Sequence, residues 1–399
     1  MSKVLQSAIS IRDLRQLARQ RLPRMLFELI ESGVEDERGV AWNEAAFNQF
    51  RLLPRYLCDI ANRDQTVDLM GTRYDSPFGI GPTGFAALLR RGADVMLAEA
   101  ARAANVPFVV SGASATPIEE IARTGPDHIW YHLYPAKDGQ ITEAILSRVL
   151  DAGIRTLVLT VDNPVYPKRE RDIRNGFTLP LRLSVGTVLE AMRHPAWAIE
   201  YIRHGGMPMM DTWARHAGKG KSAGEVAAFF RSQSPSLQTW RELDSLRRRW
   251  PGKFVLKGLQ HPDDARRAVE AGIDGLVVSN HGGKSFDPLP SPLETLPAIK
   301  AAVRGAVPVM LDSGVRRGSD MMIARCLGAD FLFVGRATLY GVVAGGRPGA
   351  DRALAILRNE IDMSQAMIGC ARFGDLDENF LIGPGHPLVS EITADRTLA

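Results

Sequence analysis

The chain has 399 residues, of which 45% are hydrophobic and 24% charged, and its formal net charge is +4. That is an ordinary globular composition, long enough for one large α/β barrel or two average domains. No run of about 18 apolar residues exists to span a bilayer, and the N-terminus lacks the apolar core of a secretion signal. Cys58, Cys326 and Cys370 are odd in number, far apart and without metal-ligand spacing, which reads as reduced thiols and no metal site. The basic cluster Arg247, Arg248 and Arg249 has no interleaved aromatic residues, so no nucleic-acid partner is expected. The default placement is cytoplasmic, with a position peripheral to the inner membrane as its variant.

In chain order, Ser10 caps a first predicted helix (SIRDLRQLARQ), and Pro23 opens a second (PRMLFELIESG) that stops at Gly33. Eight short apolar runs follow, at residues 78–84, 107–112, 129–134, 156–162, 253–258, 275–280, 308–314 and 331–336. Continuous rather than alternating apolar runs are the mark of parallel strands buried on both faces. Helical stretches separate most of them, clearest at 261–272, where HPDDA places acids in the first turn and a glycine closes the segment. The expected architecture is a (β/α)8 TIM barrel with N-terminal helices and a long insertion after strand 4, read as one domain over 1–399. An open doubly wound sheet is disfavoured because the first strand-to-helix turn reads GPTGF rather than G-x-G-x-x-G.

Residues 163–250 break the strand–helix rhythm. This stretch contains MRHPAWAIEYIR and MPMMDTW, rich in Trp, Met and Arg. So long a connection is usually functional or disordered: it could lid the barrel, dock on a membrane surface, pack between subunits, or simply pack on its own barrel. Residues 373–399 are weakly patterned and read as a surface arm.

Strand C-terminal ends carry the chemistry of parallel barrels. Here they present Pro82, Thr83 and Gly84, then Ser111, then His132 with Tyr134, then Thr160 with Asp162. Lys257, Ser279 with His281, Asp312 with Arg316, and Gly335 with Arg336 complete the set. One polar strand end is unremarkable, but a polar group at every end defines a binding site. His281 lies where an apolar run meets a Gly-Gly turn and is the first candidate for a base; Lys284, three residues on, could hold an anion. The last two strand ends supply glycines, arginines and a helix start, where barrels commonly bind phosphate, so a phosphate-bearing cofactor is expected. Flavin mononucleotide (FMN) fits, with Lys257 stabilising negative charge on the reduced ring; an aldolase-type Schiff-base lysine is the other reading of Lys257.

At this point the chain resembles the FMN-dependent α-hydroxy-acid dehydrogenase/oxidase family, from about Ser10 to Cys370. The motifs are LPRM at Leu22, LTVD at Leu159, LKG at Leu256, SNHGG at Ser279, DSGVRRGSD at Asp312 and VGRATLYG at Val334, and the last looks like the mandelate dehydrogenase branch. The resemblance implies FMN contacts from Pro82, Thr83, Gly84, Ser111, His132, Thr160, Lys257 and Ser279. It implies that Asp312, Ser313, Gly314, Arg316, Gly335 and Arg336 hold the ribityl and phosphate groups. His281 would be the base, Asp162 would stabilise its imidazolium, and Tyr134 and Arg169 would bind substrate oxygens. Gly84 stands where family dehydrogenases often carry glycine and oxidases alanine, which points to a quinone or other carrier as electron acceptor before O2. A homotetramer is usual in such a family.

The departures fall in the substrate pocket. Leu29 replaces a usual tyrosine, Lys284 a usual arginine, His132 a usual glutamine, and Ala113 a position that can hold tryptophan. Lysine lacks the planar fork with which arginine meets a carboxylate. A bulky or differently anchored 2-hydroxy acid is therefore the expected substrate. The competing readings are a flavin barrel of altered substrate class, including an isomerase, and a flavin-binding protein without turnover.

Overall fold

The computed structural model of the chain describes residues 3–176, 185–204, 206–234 and 238–384. Eight parallel strands close into a barrel: β1 Phe78–Ile80, β2 Phe108–Ser111, β3 Ile129–Leu133, β4 Thr156–Thr160, β5 Lys253–Leu259, β6 Gly275–Val278, β7 Val309–Leu311 and β8 Phe331–Val334. They pair in sequence order, and β8 returns to β1, as the expected (β/α)8 barrel requires. Each strand begins within an apolar run identified in the sequence, and most stop a few residues before the run's polar end.

The barrel interior explains the polar ends. Side chains two positions apart on a strand share a face. The lower interior layer is apolar, formed by Val109, Trp130, Val158, Val255, Val277, Met310 and Phe333. Two residues further along the same strands stand Ser111, His132, Thr160, Lys257, Ser279, Asp312 and Gly335. One step of the strand period thus turns a dry core into a polar floor beneath the barrel mouth. The opposite end is stoppered by a hairpin, Val67–Leu69 with Thr72–Tyr74, whose Leu69 and Tyr74 enter the same apolar layer.

The helices wrap this barrel. Helix α1 (Ile11–Arg21) opens with a reciprocal capping box: the Ser10 hydroxyl accepts from the Asp13 amide at 3.2 Å, and the Asp13 carboxylate accepts from the Ser10 amide at 2.9 Å. Helix α2 (Arg24–Glu31) follows Pro23, and α3 (Arg38–Ala45) crosses the barrel mouth near the β6 loop. Further on stand α4 (Ala93–Ala103), then α5 (Val185–Arg193), α6 (Pro195–Arg203), α7 (Ala223–Gln233) and α8 (Trp240–Arg249) within the insertion. The insertion is tied to its own barrel. The indole of Trp213 donates to the Gly112 carbonyl at 3.0 Å, that of Trp197 to Leu88 at 3.2 Å, and the Tyr201 hydroxyl donates to Ala87. The rings of Trp213 and Tyr201 are buried and that of Trp197 half-buried, while their polar ends stay satisfied.

The expected surface arm after residue 372 is corrected in its first part. Phe373, Leu376 and Phe380 are buried, and Leu381–Ile382 pairs antiparallel with Arg51–Leu52. Apolar side chains at these positions close the gap beside the N-terminal segment, which a weakly patterned sequence does not reveal. Residues 385–399 of that predicted arm lie outside the described residues.

Asp94, in the first turn of α4, is buried and accepts a hydrogen bond from the Ser114 hydroxyl at 2.8 Å. Burial pushes its carboxyl up to about 6. A folded-state value above the unfolded one means that the folded chain holds the proton more tightly. The associated stability is present at low pH and is lost as pH rises from about 4 through about 6. Asp94→Asn, which keeps an acceptor without the charge, should flatten this slope by about 1–3 kcal/mol. Urea unfolding at pH 4.5 and 7 measures it, and equal slopes in the two proteins would rule this origin out.

Candidate active site

The polar strand ends open into one cleft of about 1430 Å³, mouth included. Its lining includes Pro82, Thr83, Gly84, Lys257, Asp312, Ser313, Gly314, Arg316, Gly335 and Arg336, together with Leu29, Ala113, Tyr134, Arg169, His281 and Lys284. The remaining residues singled out in the sequence, Ser111, His132, Thr160, Asp162 and Ser279, do not line the cleft; their side chains are buried in the floor beneath it. Among the lining residues that carried no sequence signal, four come from the insertion: Asn163, Val165, Tyr166 and Phe230. The position of the insertion over the mouth is a property of the fold.

At the centre His281 Nδ1 lies 2.9 Å from Asp162 Oδ1. His281 sits in the left-handed region (φ 60°), a conformation that β-carbons disfavour. It is held there by its amide, which donates to the Ser279 hydroxyl at 3.0 Å, and by Gly282 and Gly283, which continue the same turn with positive φ. Asp162 also accepts from the Thr160 hydroxyl at 2.8 Å. Burial alone would raise its pKa, but the charges of His281 and Lys257 and these hydrogen bonds outweigh it and hold the carboxyl far below the usual range. Gly258 makes the arrangement possible: a β-carbon there would come within 2.7 Å of Asp162 Cβ, beside an irregularity in the β5–β6 pairing.

Lys257 Nζ lies 3.2 Å from Asp312, 3.9 Å from Asp162 and 2.8 Å from the Ser279 hydroxyl, to which it donates. Burial works against its charge, yet the two carboxylates more than offset this and raise its pKa. A fixed cation therefore stands on the floor. His132 is its counterpart. Burial, then the charges of Lys257 and His281, push its pKa well down, so the ring is neutral, and neither ring nitrogen has a partner. Tyr134 packs edge-on against it with centroids 4.7 Å apart, and burial with nearby Asp162 raises the phenol, which keeps its proton.

These features fit a flavin nucleotide. A neutral buried imidazole with an unused donor and an unused acceptor calls for a polar ring edge. Above Gly84 a β-carbon would touch only Ala113 and the Ser111 hydroxyl, both at 3.7 Å, so the backbone there is open to a flat group. The loop after β7 turns through positive φ at Ser313 and Gly314, and a β-carbon at Gly314 would meet the Asn43 carbonyl at 2.1 Å. Beside it Gly335 caps the helix Arg336–Gly345, whose N-terminal amides and Arg316 suit a phosphate.

Two expected anion holders are more committed than the sequence implied. Lys284 Nζ donates to the Leu29 carbonyl at 2.9 Å and contacts the Ser32 hydroxyl at 3.2 Å. Arg336 donates to Ile30 and Gly282, each at 2.8 Å, and to Ser32 at 3.0 Å. Helix α2 ends with carbonyls that have no partner within the helix, and these two side chains donate to them. Burial, together with the charges of Arg336 and Arg169, pushes the Lys284 amine well below its ordinary value. As a free point charge for a substrate anion, Lys284 is thus corrected: it is a helix cap set in the cleft wall. Arg169 is different. Its Nε is buried and has no hydrogen-bond partner.

A parallel barrel whose mouth joins an Asp-buttressed histidine, a fixed lysine and a phosphate cradle defines a flavin-dependent oxidoreductase. The family model for FMN-dependent dehydrogenases matches residues 18–382, and the chain belongs to that family, with FMN as its cofactor. It is similar to (S)-mandelate dehydrogenase of Pseudomonas putida, with 38% identity over 95% of both chains. It is also similar to L-lactate oxidase of Nostoc sp., with 36% identity over 94% of this chain and 99% of the relative. The crystal structure of the monotopic membrane protein (S)-mandelate dehydrogenase superposes with a TM-score of 0.91 at 38% identity, covering 95% of this chain and all of that one, 100%.

Proposed function

We propose that this enzyme oxidises 2-hydroxy acids to 2-oxo acids, and that it favours substrates with a large apolar group anchored chiefly by Arg169. The observation that carries the reading is the His281–Asp162 pair at 2.9 Å on the wall of an open cleft. With Nδ1 turned to Asp162, His281 is free to accept the substrate hydroxyl proton at Nε2. Asp162, ionised and buried, stabilises the imidazolium that results. Tyr134 keeps its proton and can donate to a substrate oxygen, while Arg169 offers an unpaired Nε–H to a carboxylate. Bound FMN supplies the acceptor for the two electrons that leave with the substrate C–H bond.

The substrate preference rests on the walls. Leu29, Ala113, Val165 and Phe230 make them apolar and roomy, and Lys284 is drawn away by helix α2. Anaerobic bleaching of the flavin by a series of 2-hydroxy acids of growing side chain tests this. Aromatic and long-chain acids should reduce it at least about 10-fold faster than the three-carbon acid, since each buried methylene contributes about 0.8 kcal/mol. Bleaching by carboxylate-free alcohols or amines, with none by any 2-hydroxy acid, would overturn the reading.

We further infer a peripheral seat on a membrane, with a lipid-soluble quinone as electron acceptor. Among the described residues no helix is long and apolar enough to cross a bilayer. Helices α5 and α6 nevertheless expose Leu189 with Met192 and Ile199 with Ile202, the last 78% exposed, beside Arg193 and Arg203. Apolar pairs at i,i+3 flanked by cations suit an anionic lipid surface. The double variant Ile199→Glu with Ile202→Glu should lower co-sedimentation with anionic phospholipid vesicles at least 5-fold and leave flavin reduction unchanged. Equal sedimentation would place the contact elsewhere.

A further inference from the structure

Two side chains compete for one nitrogen of the base. His281 Nδ1 lies 2.9 Å from Asp162 Oδ1, and 3.0 Å from the side-chain nitrogen of Asn163. A ring nitrogen bears either a proton or a lone pair, so it cannot both donate to a carboxylate and accept from an amide. Asp162 is ionised and can only accept, which puts the proton on Nδ1. An Asn163 NH2 facing that proton would oppose N–H to N–H. The amide oxygen of Asn163, meanwhile, is buried without a partner. Turning the amide over resolves the conflict, because its two ends are nearly equal in shape and are told apart by their partners.

We propose that Asn163 is a positioning residue for the base: its amide carbonyl shares the Nδ1 proton of His281 with Asp162 and so fixes the tautomer whose Nε2 lone pair faces the cleft. This inference rests on His281 being the base. The turned amide places its NH2 where the oxygen stood, buried and without a partner, so the gain of the turn lies at Nδ1. The second acceptor also has an electrostatic effect. Once Nε2 is protonated, the imidazolium meets a carboxylate and a carbonyl dipole together, which favours the charged ring. Other charged or titratable groups face the ring from the strands and loops around it. They are Lys257 on β5, His132 at 6.4 Å on β3, Tyr134, and across the cleft Arg169 and Lys284. Substituting Asn163 leaves every one of them in place.

The test is made on the FMN-loaded protein with 15N-labelled histidine, the His281 signal being assigned by its loss in the His281→Ala variant. The wild-type ring should show the Nδ1–H tautomer. In Asn163→Ala the pH at which the ring protonates should fall by about half a unit or more, and in Asn163→Asp, where a second anion faces the ring, it should rise. The acid limb of the pH profile for flavin reduction should move in the same directions, with a 3- to 10-fold lower limiting rate in Asn163→Ala. A merely structural asparagine would lower thermal stability without moving the midpoint. An Nε2–H tautomer in the wild type, or an unmoved midpoint in both variants, would overturn the proposal. If the nuclear resonance results hold while no 2-hydroxy acid bleaches the flavin, the functional reading fails and the placement of Asn163 stands.

Discussion

Replacing His281 with alanine should give a protein that still binds FMN but whose flavin is reduced by 2-hydroxy acids at least about 10³-fold more slowly. That loss lies in the range of a positioned general base. The cofactor should remain because Ser313, Gly314, Arg316 and Gly335, which suit its phosphate, are untouched. The substitution also removes the ring that Asp162 meets at 2.9 Å, but Lys257, 3.9 Å away, continues to hold that carboxylate ionised. Folding should therefore survive. Stopped-flow bleaching under anaerobic conditions measures the rate, and a wild-type rate in this variant would remove His281 from the role of base.

The second large effect is expected at Lys257. Lys257→Met leaves Asp162 and Asp312 facing each other across a floor only 3–14% exposed, with no cation between them. Removing one partner of a buried ionic cluster typically costs about 3–5 kcal/mol, because the remaining charges stay desolvated. Flavin reduction should fall by a similarly large factor, since Asp162 would then take up a proton more readily and lose its hold on the imidazolium. The midpoint potential of the bound FMN should also fall as a positive charge is withdrawn. The double variant Lys257→Met with Asp312→Asn should lose less stability than the sum of the single changes, because the two side chains form one contact at 3.2 Å. Urea unfolding of the holoenzymes decides it; strict additivity would mean that the pair is not coupled.

Much of this site could be read from the order of residues. The apolar runs located every barrel strand, since a strand covered on both faces must be apolar throughout. Their polar ends located the floor, because a period of two places Lys257 above Val255 and Ser279 above Val277 on the same inner face. The Gly-Gly turn after His281 was equally legible, as only glycine readily continues a left-handed backbone.

What the sequence by itself determined, then, is the barrel, the identity of the groups at its mouth and the family they belong to. These depend on local periodicity and on residue types at fixed short spacings. The tertiary structure alone decided what those groups are bonded to. Lys284 and Leu29 are 255 residues apart in the chain, yet the end of helix α2 turns a presumed anion holder into a cap. Ser279 and Thr160 resemble cofactor contacts in sequence, but their hydroxyls already orient Lys257, His281 and Asp162. Asn163 carries no motif, and its importance exists only because strand β4 ends against the loop after β6. Hydrogen-bond partners depend on distances of a few tenths of an ångström between remote segments, and no spacing along a chain encodes them.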